Sequence, residues 1–175
     1  KYHPGPGTGL RRFPNAKVTF VTSPNAGAKA LSLDTLSDQI YLVDIAPVPD
    51  LVEAVHARRP CQSLILVDHH PSSLAVECTA LVKEGVSAAN VLFHHLHPEV
   101  RLRKLVAVAD LVEYMPTPLL DEEMRRYGRQ RVDQESMVLD FAWRLIIDDD
   151  RFRYTTAKSL AQGVWPSQVD SVKRR

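Results

Sequence analysis

The sequence predicts an α/β domain on a parallel sheet, with helices filling its second half. Three observations carry this. Residues 39–45 (Gln-Ile-Tyr-Leu-Val-Asp-Ile) and 63–68 (Ser-Leu-Ile-Leu-Val-Asp) are short, near-continuous apolar runs, which suits strands covered on both faces. Between them, 49–59 places Leu51, Val52 and Val55 on one helical stripe. Beyond Pro71 the apolar spacing turns helical.

The elements follow in order. Residues 1–14 hold three glycines and three prolines, which neither a helix nor a central strand tolerates, so a loop is expected. Residues 17–22 (Lys-Val-Thr-Phe-Val-Thr) are β-branched and short, the signature of a strand. The helix over 49–59 has Asp50 and Glu53 in its first turn and Arg58 and Arg59 in its last, the charge order that suits its dipole. Strand, helix and strand then make a right-handed crossover. Helices are expected over 88–96, 99–114, 119–126, 134–147 and 151–162, with a short segment after Pro166. The division is 1–147 as the α/β domain and 148–175 as a helical C-terminal extension or the start of a linker.

Composition sets bounds. With 175 residues, 45% of them hydrophobic, the chain can bury a real core, and global disorder is excluded. Its 22 Lys+Arg against 21 Asp+Glu give a net charge of +1, so any contact with a polyanion must be local. No run reaches the roughly 18 apolar residues of a membrane span, so a soluble protein is expected. Cys61 and Cys78 form no Cys-x-x-Cys pair and read as buried thiols of a reducing compartment, which makes the cytoplasm the expected location.

The chemistry lies at the strand ends. Ligands of an open parallel sheet sit outside the carboxyl ends of its strands. Asp44 ends one run in Leu-Val-Asp-Ile-Ala-Pro, and Asp68 ends the next in Leu-Val-Asp-His-His-Pro. Carboxylates beside His69 and His70 offer the oxygen and imidazole mixture that suits manganese, iron or zinc better than calcium. Asp110 follows in the otherwise apolar Ala-Val-Ala-Asp-Leu-Val.

The ordered series strand-Asp, strand-Asp-His-His and Ala-Asp-Leu-Val, across about Val18 to Val112, resembles the DHH phosphoesterase superfamily, which includes RecJ-like exonucleases and oligonucleotide phosphodiesterases. That resemblance implies a Rossmann-like sheet and a Mn2+- or Mg2+-dependent hydrolase acting on phosphodiester bonds of single-stranded nucleic acid or short oligonucleotides. It assigns Asp44, His69 and Asp110 to the metal and His70 to the substrate phosphate. Asp68 becomes a supporting catalytic residue that fixes the tautomer of the metal-bound imidazole. It also implies a second, smaller domain or a protein partner across the cleft.

The first family motif, His-x-x-x-Asp-x-Asp, finds only His3-Pro-Gly-Pro-Gly-Thr-Gly9, with Gly7 and Gly9 where the aspartates belong. Baring a sheet edge costs more than losing two ligands, so residues absent from this sequence are the favoured explanation. A rival reading follows from the same glycines: a catalytically degenerate RecJ-like scaffold of a replication complex. Three further groups read as structural. His94, His95 and His97 complement a helix end, and Arg125, Arg126, Arg129 and Arg131 form a solvated face. Asp148, Asp149 and Asp150 cap the helix that follows.

Overall fold

A computed structural model describes residues 13, 15–21, 39–45, 53, 64–71, 78–96, 99–145 and 149–173. Strands β1 (Ile40–Val43), β2 (Leu64–Asp68) and β3 (Thr79–Val82) form a parallel sheet in that order. Ile40 stands opposite Leu64 and Val43 opposite Val67, while Ile65 stands opposite Thr79 and Asp68 opposite Val82. The chain is therefore α/β with a parallel sheet, as its apolar runs predict.

β2 is buried along its whole length because both faces are covered. Leu64 packs with Ile40, Leu42, Ile45, Val21 and Cys78 on one face. Ile65 and Val67 pack with Tyr41, Val43 and Leu81 on the other, under Val91 and Leu92 of helix α1 (Ala88–Leu96). This alternation is the period-2 geometry of a pleated strand.

The helical half follows as a 3₁₀ turn (Val100–Leu102), α2 (Arg103–Val112), α3 (Pro118–Tyr127), α4 (Arg129–Leu145), α5 (Asp150–Leu160), a second 3₁₀ turn (Pro166–Gln168) and α6 (Asp170–Lys173). Its core joins Phe93, Leu102, Val106, Val108, Leu119, Leu120, Val132, Leu139 and Trp143. Leu160, Trp165 and Val169, from the segment expected to be an extension, lie in this same core. Thr117 caps α3, accepting from the Leu120 N–H at 3.0 Å, with Pro118 in the first turn. Asp149 caps α5 by accepting from the Phe152 N–H at 2.8 Å, the role read for this acidic run. Among the described residues no helix is long and apolar enough to cross a membrane.

Two expectations are corrected. Among the described residues, 17–21 of the strand expected over 17–22 pair with no strand, although their composition is that of one, and Thr22 lies outside the described residues. Phe20 is drawn into the helical core, edge-on to Trp143 at 6.0 Å, and Val18 packs there too, while Val21 turns to the sheet. The segment thus reaches both the helical core and the sheet. Conversely, Thr79–Val82 is a strand that the sequence reading passes over. The helix expected over 49–59 lies outside the described residues, except for Glu53, which is helical.

A buried acid locks the C-terminal turn. Glu135 of α4 accepts from the Ser167 N–H (2.8 Å), the Ser167 hydroxyl (2.6 Å) and the Arg131 guanidinium (2.7 Å). Glu135→Ala removes a buried acceptor from three part-buried donors and leaves a void in its place. Its expected cost is about 2–3 kcal/mol, a fall of about 4–12 °C in Tm by scanning calorimetry.

Candidate metal centre

Register builds the site. Val43 and Val67 are paired, so Asp44, the residue after β1, and Asp68, the last of β2, stand side by side at the sheet's carboxyl edge. The Asp44 N–H still donates to the Val67 carbonyl at 2.9 Å. Asp44 then turns at φ 56°, a left-handed conformation that Asp tolerates better than most residues and that aims its carboxylate toward the neighbouring loop.

There His69 Nε2 lies 3.4 Å from Asp44 Oδ1, with the two side chains only 8% and 7% exposed. Asp68 is wholly buried, and its Oδ1 accepts from the His69 backbone N–H at 2.7 Å. The same oxygen stands 2.9 Å from Nδ1 of His70, whose ring is 52% exposed. One potential ligand atom from each of Asp44, Asp68, His69 and His70 lies within 4.8 Å of the others. The two imidazoles are close neighbours, their ring centres 4.1 Å apart.

The chemistry of this donor set fits a divalent ion. Two donors each about 2.1 Å from one ion, at a tetrahedral angle, stand about 3.4 Å apart. Asp44 Oδ1 and His69 Nε2 have that separation. The imidazole nitrogen and carboxylate oxygen match the manganese, iron and zinc group of cations.

Compared with protein-family models, curated proteins and solved structures, the chain matches none. The geometry of the site alone therefore assigns roles to its residues.

Two expectations change on that basis. Asp68 was expected to hold the imidazole of His69, but its carboxylate meets the His70 ring and only the backbone of His69. Asp68 is the last residue of β2, and the loop that follows brings the ring of His70, two residues on, back to its carboxylate. Asp110, the third acid assigned to the ion, stands apart from the four clustered side chains. Fully buried in α2, its Oδ1 accepts from the Ser87 N–H (3.0 Å) and hydroxyl (2.6 Å), and its Oδ2 accepts from Asn90 Nδ2 (2.6 Å) and the Thr117 hydroxyl (2.7 Å). Four donors fill the acceptor sites of one carboxylate.

Ser87 and Thr117 are themselves helix caps, accepting from the N–H groups of Asn90 and Leu120. Asp110 thus ties the starts of α1 and α3 to α2. The sequence carries a signal for both caps, in Gly-Val-Ser-Ala-Ala-Asn and Pro-Thr-Pro, but none for the acid that joins them.

The remaining candidates are quickly placed. His3 lies outside the described residues, as do Gly7, Gly9 and His97. His94 and His95 close α1 and are exposed, in keeping with a helix-end role.

Proposed function

We propose that this chain is a divalent-metal-dependent phosphoesterase acting on phosphodiester bonds of nucleic acid or short oligonucleotides. The observation that carries the reading is the meeting of Asp44 and His69 from two adjacent parallel strands, backed by Asp68 and His70. Asp44 and His69 would hold Mn2+ or Mg2+. When bound, such an ion neutralises phosphate charge and acidifies water.

The protein's own groups supply the rest. A carboxylate only accepts, so His70 donates its Nδ1 proton to Asp68, which leaves Nε2 as the working nitrogen of a half-exposed ring. Neutral, that nitrogen takes a proton; as imidazolium it donates to a phosphate oxygen or to a leaving alkoxide. The hydrogen bond to the buried Asp68 carboxylate favours this tautomer of the ring.

The saturation of Asp110 by four protein donors favours a second reading, a scaffold of a replication assembly that keeps part of the family's residues without turnover. One assay separates the two. Purified protein with Mn2+ is expected to shorten a single-stranded oligonucleotide, and His69→Ala to lose this activity while keeping its circular dichroism. Cleavage that is absent with Mn2+ or Mg2+, or unchanged in His69→Ala, rejects the enzyme.

A further inference from the structure

We infer that the turn between α3 and α4 is a binding surface for single-stranded nucleic acid, outside the four-residue centre. The case rests on how charge is used around Gly128. The acids of this region are largely spoken for. Glu122 and Glu123 both pair with Arg103. Glu135 takes Arg131, and Asp133 takes Arg129 at 3.8 Å. Arg125 and Arg126 are exposed and, among the described residues, form no ion pair. Arg129 is also largely in solvent, its side chain 81% exposed. The helix ends that meet here carry opposite partial charges, so their dipoles cancel and the guanidiniums set the sign of the surface.

Aromatic area lies beside that charge. Tyr127 is 39% exposed, with the Arg126 guanidinium 5.5 Å from its ring centre. Its other side is held edge-on to Trp165 at 5.2 Å, and Lys104 and Arg131 lie over that indole at 4.6 and 5.3 Å. Tyr127 is therefore a fixed ring in a cationic frame. Gly128, at φ 86°, keeps the turn low, with open space where a side chain would stand. Exposed arginines and an anchored aromatic ring are the two elements with which proteins hold single strands, one for phosphates and one for a base. A duplex offers no open base face to Tyr127, and a lipid surface would not need one.

The choice of nucleic acid among polyanions rests on the phosphodiesterase reading, so the test is run without metal. Anisotropy of a fluorescein-labelled twelve-nucleotide oligothymidylate is measured on the full chain in EDTA across a salt series. Wild type is expected to bind at low salt. Arg125→Gln/Arg126→Gln is expected to weaken binding about tenfold and to reduce the log-log salt slope by about 1.4, the value for two lost phosphate contacts. Tyr127→Leu, which preserves packing on Trp165, is expected to weaken it about fivefold or more. Equal affinity and slope in the arginine variant overturn the inference. So does binding to phosphatidylserine vesicles without binding to the oligonucleotide, or no binding by wild type. Binding that passes these tests in a protein without cleavage activity would leave this surface standing and remove only the phosphodiesterase reading.

Discussion

Asp110→Ala is expected to destabilise the fold by about 3–5 kcal/mol, because at least two buried donors lose their acceptor at about 1–3 kcal/mol each. The loss reaches beyond one contact. Ser87 and Thr117 spend their hydroxyl protons on Asp110 while accepting from the first turns of α1 and α3. Without the acid both caps loosen together. In scanning calorimetry the change is expected as a fall of about 6–20 °C in Tm.

Asp110→Asn should fall between wild type and alanine. Its amide keeps the size and one acceptor oxygen but turns an N–H2 toward donors, and only the hydroxyls can rotate to accept. A fall in Tm below about 2 °C for the alanine variant would show that Asp110 is not the joint described here. The two roles considered for this acid also separate in the calorimeter. As a structural joint its loss lowers Tm equally with EDTA and with Mn2+, whereas as a metal ligand its loss removes a stabilisation that appears only with Mn2+.

Why some of this could be read from the sequence and some could not is a matter of range. β1 and β2 were legible because Ile40–Val43 and residues 64–67 are unbroken apolar runs, as a strand covered on its faces requires. The acids that close these runs, Asp44 just after β1 and Asp68 as the last residue of β2, stood out against them. β3 is only four residues long, with Ala80 among them, too little area to stand out from the helical pattern that follows. Residues 17–21 mislead in the opposite direction. Valine, threonine and phenylalanine report an extended backbone, but whether a ladder partner lies alongside depends on the distant Trp143 that claims Phe20. The helices of the second half fall within a few residues of their periodic pattern because each buries a stripe in one common core. At the site, residue type was legible and partnership was not. Which imidazole meets Asp68 is decided by how the chain leaves β2, and which donors meet Asp110 by the meeting of α1, α2 and α3, contacts 7 to 23 residues apart.

The four clustered side chains are expected to divide into two classes when metal affinity and turnover are measured separately. His69→Ala and Asp44→Asn remove an atom from the pair that is 3.4 Å apart, so titration calorimetry with Mn2+ should show affinity lowered about 100-fold or more, beyond the 10–100-fold typical of supporting residues. Asparagine is the right replacement at position 44, because it tolerates the left-handed backbone there and a loss of affinity then reports the missing charge. Asp68→Asn and His70→Ala should behave differently. The Asp68 carboxylate is engaged by the His69 backbone N–H and the His70 ring, so Mn2+ affinity is expected to stay within about tenfold of wild type. The rate of oligonucleotide cleavage under saturating Mn2+ is where these two variants fail. His70→Ala is expected to lose about 100-fold or more, the scale of a positioned general acid or base. Asp68→Asn should lose less, since the amide still fills the buried position but presents either an oxygen or an N–H2 to Nδ1 and no longer fixes the tautomer. The order is the test. If Asp68→Asn lowers Mn2+ affinity as far as His69→Ala does, Asp68 is a ligand of the ion and the pairing with His70 is not what it is for.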